Sequence, residues 1–185
     1  MKYFIFTFFL LVNIGLIIIL DTRQVLPLPL GKFLSVQEGI WRNAEPVDMN
    51  YNESIKVSGL TGKVDVYFDE RLVPHIFSEQ ENDAFFVQGF IHAKFRLWQM
   101  EFQTHAAAGR VSEIVGDKAI NFDKTQRRTG MVFAAENALY AIEQDPASKA
   151  AVDAYTAGIN SYINTLNTAD LPIEYKLLGY KPEKW

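Results

Sequence analysis

The sequence predicts an α+β domain preceded by one apolar helix at the N-terminus. Three observations support this fold class: an uncharged apolar run at 3–20, alternating apolar residues at 63–69, and apolar residues three and four positions apart from position 82 onward. The strand patterns come before the helix patterns instead of alternating with them, which favours α+β over a parallel α/β sheet. We therefore divide the chain into three parts: an apolar segment at 1–22, a tether at 23–52 and a folded region at 53–185.

The apolar segment predicts a membrane-directed helix. Positions 3–20 hold 15 apolar residues out of 18 and no charged one, and at about 1.5 Å per residue they span about 27 Å, close to the thickness of a bilayer's hydrocarbon layer. No Ala-x-Ala site follows Leu20, so an uncleaved signal anchor is favoured over a cleaved signal peptide, and a buried core helix is the remaining alternative. Lys2 on the short side predicts a cytoplasmic N-terminus and a domain outside the cytoplasm.

Positions 23–52 are interpreted as a tether or entry segment. Pro27 and Pro29 favour an extended backbone up to Gly31. Part of the segment is expected to lie against the domain or the membrane surface, because it carries four large apolar residues: Phe33, Leu34, Ile40 and Trp41.

Short antiparallel strands open the folded region. Apolar residues occupy every second position of 63–69, which is typical of a half-buried strand. The stretches 54–60 and 73–77 are also strand-like, so the sequence predicts a three-stranded meander. Pro74 lacks a backbone N–H, so its strand should lie at an edge of the sheet or pair only beyond that residue.

Three amphipathic helices are predicted after the strands. The first begins with an N-cap at Asn82 or Asp83 and ends at Gly109. The second spans about 129–143, and the third begins at the Asp-Pro pair at 145–146. Their inward residues are expected to be Phe86, Phe90, Ala93, Leu97 and Met100 in the first, Met131, Ala135, Ala138 and Ile142 in the second, and Val152, Tyr155, Ile159, Tyr162 and Leu166 in the third.

Composition narrows the classes of function. Eighteen Lys and Arg against 22 Asp and Glu give a net charge of -4, which disfavours nucleic-acid binding because phosphate neutralisation requires basic residues. The chain has no cysteine, which excludes disulfides, thiolate metal sites and cysteine nucleophiles.

The three histidines are the first candidates for acid–base chemistry or metal binding. His92 lies beside Arg96 and Gln99 on the first amphipathic helix, and we interpret it as structural because no metal-binding motif such as His-Glu-x-x-His surrounds it. His75 is interpreted as a hydrogen-bonded residue of a strand. His105 is expected to be a solvated helix position.

The charged residues predict turns and ion pairs more readily than a catalytic pair. Asp69 and Glu70 precede Arg71 in a turn, where carboxylates normally face water. Ion pairs are expected for Arg96 with Glu101 and for Arg110 with Glu113. The basic pair at 127–128 is interpreted as part of a structural ion-pair network, in preference to an arginine pocket that binds an acidic group. The chain contains no Gly-rich phosphate loop, Gly-x-Ser-x-Gly elbow or kinase signature.

An ordered series of motifs carries a family resemblance. Val-Pro-His-Ile at 73–76 is followed by Asp-Ala at 83–84, Arg-Leu-Trp-Gln-Met at 96–100 and Gly-x-x-Ser-Glu-x-x-Gly at 109–116. This order resembles the N-terminal α-chain region of the penicillin acylase family, also called penicillin amidases. The matching residues are Asp69, Val73, Pro74, His75, Ile76, Asp83, Ala84, Gly89, Ala93, Arg96, Leu97, Trp98, Gln99, Met100, Gly109, Ser112, Glu113, Gly116, Phe122, Asp123, Arg127, Arg128, Tyr155, Gly158, Ile159, Asn160, Gly179, Pro182 and Trp185. Phe90 and Phe95 depart from the family's usual Tyr and Asp.

The resemblance implies an N-terminal nucleophile (Ntn) hydrolase with an αββα fold, of which this chain supplies the short antiparallel strands and the helices that follow. In that family a precursor cleaves itself, and the serine that becomes the first residue of the β chain attacks an amide, with its own α-amino group as the base. The implied reaction is hydrolysis of a linear, non-peptide amide in a small acyl-amide substrate, such as the side chain of a β-lactam or an N-acyl homoserine lactone.

The resemblance also implies that the catalytic machinery lies outside this chain. Self-cleavage exposes the serine after a small residue, commonly glycine, and none of the 11 glycines here precedes Ser, Thr or Cys. Calcium is expected in the full-length family, with its α-chain ligand beyond Trp185. We therefore expect no catalytic, cofactor-binding or metal-ligating residue in this incomplete domain, and the β-chain region of the same precursor and, through 3–20, a membrane as partners.

A second class of function stays open. A membrane-anchored, non-catalytic binding or assembly module could retain the same α-chain scaffold. Expressed alone, residues 45–185 are expected to fold poorly or aggregate, because apolar stripes that the β chain covers in the family would face water.

Overall fold

The computed structural model describes residues 2–21, 51–167 and 170–185, so that most of the predicted tether lies outside the described residues. The chain forms two compact units, one of Met1–Val47 with Asn167–Lys181 and one of Asp48–Leu166 with Pro182–Trp185. The helices and strands are α1 (Lys2–Asp21), β1 (Val64–Phe68), β2 (Pro74–Ser78), α2 (Glu81–Ala108), α3 (Ser112–Val115), α4 (Ile120–Arg128), α5 (Met131–Glu143), α6 (Pro146–Thr165) and α7 (Ile173–Leu178), with a 3-10 turn at Asp117–Ala119.

In the first unit, α1 confirms the predicted apolar helix. Its segment Tyr3–Leu20 has a mean hydropathy of 2.6 and no buried residue, so by length and composition it could cross a membrane. The short helix α7 belongs to the same unit. Its Tyr175 is buried and stacks on Tyr180, with ring centroids 6.0 Å apart.

In the second unit, β1 and β2 form an antiparallel hairpin in which Val66 pairs with Ile76. The predicted alternation is confirmed, because the side chains of Val64, Val66 and Ile76 pack against the α2 core while Tyr67 is exposed. Tyr67 makes an edge contact with Phe77 on the outer face, with ring centroids 5.7 Å apart. Pro74 begins an edge strand, as expected.

The predicted strand at 54–60 is wrong. Within the described residues the sheet has two strands, and 54–60 is irregular with a turn at 58–59. Gly59 has a φ of 112°, and the backbone N–H groups of Thr61 and Gly62 point to the Asp83 carboxylate instead of to a neighbouring strand. Val57 and Leu60 still pack against the core, which accounts for their apolar pattern.

Helix α2 confirms the longest predicted helix and its end. It ends at Gly109, whose left-handed conformation (φ 65°) closes the helix. The residue at the N-cap is Gln80, not Asn82 or Asp83, because the Asp83 side chain is used elsewhere. The backbone at Arg96 is non-helical (φ -141°), so α2 is kinked there. The predicted stripe Phe86, Phe90, Ala93 and Leu97 is buried, and Met100 is half-buried.

Helix α6 crosses α2 at a very small separation. Its start is as predicted, because the Asp145 side chain accepts the Ser148 backbone N–H at 3.0 Å and Pro146 is the first helical residue. Of its predicted inward residues, Ile159 is fully buried, whereas Val152, about two turns earlier on α6, is exposed. Tyr162 makes an edge contact with Phe90 across the crossing.

Helix α5 differs most from the sequence prediction. It spans Met131–Glu143 close to the predicted range, but none of its residues is buried, and the expected inward residues Met131, Ala135 and Ala138 are exposed. The two short helices α3 and α4 were not predicted. They fill the segment between α2 and α5, and α4 contacts both of these helices.

Candidate functional site

A hydrogen bond between His92 and Tyr155 joins the two crossing helices. The His92 Nδ1 atom lies 2.9 Å from the Tyr155 hydroxyl oxygen, and the rings meet edge to face. Burial raises the pKa of Tyr155, so its hydroxyl stays protonated at neutral pH. The pair links α2 to α6 and accords with a structural role for His92.

His75 lies on the hairpin next to its turn. Its Nε2 atom is 3.7 Å from Asp69 Oδ2, and both side chains are partly exposed. Asp69 accepts the backbone N–H groups of Val73 and Arg71, and the hydrogen bond from Val73 is the main cause that lowers its pKa. Asp69 therefore closes the hairpin turn and is already engaged by backbone donors.

Asp83 is a buried carboxylate that binds the irregular segment just before β1. It accepts the Thr61 and Gly62 backbone N–H groups at 3.1 and 2.8 Å and the Thr61 hydroxyl at 2.8 Å. The backbone N–H of Thr61 is the largest cause that lowers the pKa of Asp83; burial opposes it. The carboxylate is 3% exposed and ties 61–62 to the first turn of α2.

Asp123 likewise accepts backbone N–H groups, from the residues that follow the C-terminal end of α2. It accepts the Val111 backbone N–H at 2.9 Å and the Ser112 backbone N–H at 2.8 Å, as well as the Ser112 hydroxyl. Burial raises the pKa of Asp123, but the hydrogen bonds from Ser112 and Val111 outweigh it, so that the net pKa is lowered. Nearby, Arg127 Nε donates to the Gly109 carbonyl at 2.9 Å. These contacts join α4 to the end of α2.

We expect the folded state to lose stability in acid through Asp83 and Asp123. Their pKa values are lowered from 3.8, so their stabilisation is fully present above that value and is lost as the pH falls through the lower pKa of the folded state. The check is the thermal midpoint of the complete protein from about pH 6 to about pH 3. Asp83→Asn should flatten this dependence, and Asp153→Asn on the exposed face of α6 should leave it unchanged. An unaltered slope in Asp83→Asn would contradict the assignment.

Glu101 and His105 correct two sequence predictions. His105 was expected to be solvated, but it is buried, and Glu101 is buried too, whereas its predicted partner Arg96 is exposed. Glu101 instead accepts the backbone N–H of Glu183 at 3.1 Å. A signal was present in the sequence: Ala93, Leu97, Glu101 and His105 follow one another in steps of four, so the buried stripe continues through polar residues. The ion pair between Arg110 and Glu113 is confirmed at 2.7 Å.

An open groove lies between the end of α2, α4 and the start of α5. Its lining combines apolar and charged side chains: Ala107, Ala108, Arg110, Gln126, Arg127, Gly130, Val132, Phe133 and Glu136. Helix α5 exposes Phe133 of this groove and, beyond the groove, Leu139 and Tyr140. An exposed apolar helix face of this kind is typical of a surface that another part of a protein covers.

The penicillin amidase family model matches residues 63–185, from the hairpin to Trp185. The chain belongs to the penicillin amidase family. Penicillin acylase 2 proenzyme from Pseudomonas sp. (strain SE83) is 39% identical over 132 residues, which are 71% of this chain and 16% of that protein. Acyl-homoserine lactone acylase from Pseudomonas syringae pv. syringae is 33% identical over 70% of this chain and 15% of its own length. The chain therefore spans about a sixth of the length of these relatives.

The fold agrees with a solved penicillin amidase. The thermostable penicillin G acylase from Alcaligenes faecalis superposes with a TM-score of 0.58 and 23% identity, covering 66% of this chain and 65% of that chain. This likeness confirms the predicted fold class, a region of the αββα Ntn fold with a short antiparallel sheet followed by helices.

Several residues of the penicillin amidase pattern have structural contacts in this chain. Asp83 and Asp123 accept backbone N–H groups near the two ends of α2. Gly89 and Gly158 allow α2 and α6 to approach each other. In the part of the chain that the structure describes, these family residues hold elements together.

Proposed function

We propose that this chain is the N-terminal scaffold of a penicillin acylase-like amidohydrolase whose nucleophilic serine lies outside it. The observation that carries the proposal is the family match over 63–185 combined with the use of the pattern's carboxylates as acceptors of backbone N–H groups. Carboxylates engaged in this way support the fold instead of the chemistry. The names of the relatives, penicillin acylase and acyl-homoserine lactone acylase, support a linear amide as the substrate bond.

The proposed chemistry uses the N-terminal serine of a processed β chain. A free α-amino group has a pKa of about 7.7–8.0, so it accepts the serine hydroxyl proton near neutral pH without a histidine. The serine oxygen attacks the amide carbonyl, the amine leaves with a proton, and water releases the carboxylic acid from the acyl-enzyme. The proenzyme name of the Pseudomonas relative supports a precursor that is processed.

The partner we propose for the exposed face of α5 is the β-chain region of the same precursor. This chain spans 16% of the Pseudomonas relative, so most of such a protein lies outside it. Phe133 and Tyr140 are 71% and 67% exposed. They are seven residues, or about two helical turns, apart, so they lie on the same side of α5. Covering them would remove apolar surface from water, which would stabilise the contact between the scaffold and the β-chain region.

Calcium, which the family resemblance implies, has no fitting site among the described residues. Calcium takes six to eight oxygen ligands, whereas the cluster formed by Glu101, His105 and Glu183 offers two carboxylates and an imidazole. We propose that the calcium ligands lie elsewhere in the complete protein.

We further propose that α1 acts as a signal anchor or signal peptide that directs the domain out of the cytoplasm. Its segment Tyr3–Leu20, which is apolar, uncharged and not buried, supports this proposal. The acyl-amide substrate would then meet the enzyme on the outer side of the membrane.

Purification of the complete gene product tests the function. We expect it to hydrolyse phenylacetyl amides, aliphatic acyl amides or N-acyl homoserine lactones. N-terminal sequencing of its large chain should find serine at the first position. Replacing that serine by alanine should abolish turnover, whereas residues 51–185 alone should have none. A complete product that binds a partner but cleaves no amide and remains unprocessed would instead favour the non-catalytic module.

A further inference from the structure

The β1–β2 hairpin leaves the outer edge of β1 without a hydrogen-bonded neighbour. The Asp69 backbone N–H donates to the Val73 carbonyl at 3.1 Å, so these two residues form a hydrogen-bonded pair. Such pairs alternate with non-hydrogen-bonded pairs along an antiparallel ladder. In the observed register, the N–H and C=O groups of every second residue of β1 therefore point out of the hairpin, namely those of Val64, Val66 and Phe68. Within residues 51–167 and 170–185, no backbone carbonyl accepts a hydrogen bond from these N–H groups.

The two edges of the hairpin are guarded differently. Strand β2 begins with Pro74, which has no N–H, and proline is one of the residues by which proteins keep a sheet edge from pairing with a further strand. Strand β1 reads Val-Asp-Val-Tyr-Phe and carries neither proline nor lysine. An unguarded edge with alternating apolar residues favours addition of a strand, so β1 is the edge that we expect to be paired.

The face of the hairpin that points away from α2 is also open beside this edge. Tyr67 and Phe77 are 63% and 61% exposed even though their rings contact each other, while Val66 on the other face packs against the α2 core. Side chains directly opposite each other on neighbouring strands have Cβ atoms about 4.5–5.5 Å apart. A strand laid along β1 would therefore cover part of Tyr67 while its backbone pairs with the free N–H groups.

We propose that the outer edge of β1 pairs with a strand of the β-chain region of the same precursor. This inference rests on the proposed function, which places such a region in the complete protein. The chain spans 16% of the Pseudomonas relative, so most of such a protein is available to supply the strand, whereas the described residues of this chain supply only β1 and β2. The partner is an extended segment with apolar side chains at alternate positions, bound mainly through its main chain.

Amide hydrogen exchange of the complete protein, resolved to single residues, tests this pairing. By the same alternation Tyr67 is hydrogen-bonded to His75, so its amide should exchange slowly with or without a further strand. We expect the Val66 amide to exchange as slowly as that of Tyr67, and at least about tenfold slower than that of Ile76, whose N–H points to the other edge. Fast exchange at Val66 beside slow exchange at Tyr67 would overturn the proposal.

Val66→Pro and Ile76→Pro are matched variants, because they replace the two members of one cross-strand pair. Each removes an N–H that points out of the hairpin and an aliphatic side chain that packs against the core, so the two differ in the edge that they alter. We expect Val66→Pro to lower the thermal midpoint and the yield of the complete protein more than Ile76→Pro does. Equal losses would count against pairing at β1, and if neither variant folds, the exchange measurement on wild type still decides.

A photo-crosslinker attached to the Tyr67→Cys variant identifies what covers the edge. The chain has no cysteine of its own, and the complete protein without this replacement is labelled in parallel as the control. We expect cross-linked peptides from the β-chain region. Cross-links confined to residues 23–50 or to β1 of a second copy, or no cross-link, would overturn the proposal.

The two proposals fail separately. A complete protein that hydrolyses amides but shows neither protection at Val66 nor this cross-link would refute the strand pairing and leave the proposed function intact. Protection and cross-linking without any amide hydrolysis would refute the proposed function and leave the strand pairing intact.

Discussion

Replacing Gly158 by alanine should destabilise the complete protein by about 3 kcal/mol or more, at the upper end of the usual cost of overpacking a core. A Cβ atom at Gly158 would lie 1.9 Å from the Phe86 carbonyl oxygen, which belongs to the backbone of α2. A backbone atom cannot rotate away as a side chain can, so α2 and α6 would have to separate. That separation would disturb the hydrogen bond between His92 and Tyr155 and the packing around Ile159.

Helix propensity and the close contact predict opposite signs for the change in stability. Within a helix, alanine is normally more stable than glycine by roughly 0.5–1 kcal/mol, so helix propensity alone predicts that Gly158→Ala stabilises the protein. Gly89→Ala should behave like Gly158→Ala, since its Cβ would lie 2.0 Å from the Tyr155 carbonyl oxygen.

Denaturant unfolding of the complete protein measures the effect. Gly62→Ala is the matched control, because its new Cβ would have one neighbour at 3.6 Å, an ordinary contact, and the backbone N–H to Asp83 is kept. We expect the control to unfold close to wild type. A Gly158→Ala protein as stable as the control would show that the two helices do not cross at this distance.

Sequence patterns predicted the elements that depend on local geometry. The apolar run of α1, the alternation in β1 and the stripe along α2 each report local geometry, and each is found in the structure. Gly109 sets the end of α2 through its backbone conformation, and the pair at 145–146 sets the start of α6 through the Asp145 side chain and Pro146. These effects are also local.

Contacts between distant residues could not be read from spacing. Thr61 is strand-like in its surroundings, yet its N–H donates to Asp83, 22 positions away. His105 was assigned to water and Glu101 to an ion pair with Arg96, although their four-residue steps from Leu97 place them on the buried stripe. Gly89 and Gly158 were recognised as members of a pattern, but their mutual approach appears only once α2 and α6 cross.

Helix α5 shows a different limit of sequence reasoning. Its apolar spacing correctly predicted a helix, but the structure leaves the predicted inward residues exposed, and it also exposes Phe133 and Tyr140, which lie on the opposite side of the helix. The apolar residues on the surface of α5 therefore indicate that the helix is covered in the complete protein, but they do not indicate which part covers it. If the β-chain region covers it, the same side chains act differently in the isolated piece and in the complete protein.

Replacing both Phe133 and Tyr140 by lysine should therefore have opposite effects in the two contexts. In residues 51–185 expressed alone, both side chains are largely exposed, so the change should raise the soluble fraction by removing an aggregation surface. In the complete protein it should lower the free energy of unfolding by roughly 2–5 kcal/mol, the amount gained by burying two large apolar side chains.

The control matches the charge change without altering the face. Phe133→Lys with Tyr140→Lys adds two positive charges, and Glu143→Lys at the exposed end of α5 changes the net charge by the same amount. This control should leave the stability of the complete protein within about 0.5 kcal/mol of wild type, as surface substitutions usually do. Denaturant unfolding and the yield of processed chains measure the outcome in the complete protein. If the double lysine variant matches the control there, the face of α5 is not covered by the rest of the precursor, and the scaffold must bind the catalytic part through another surface.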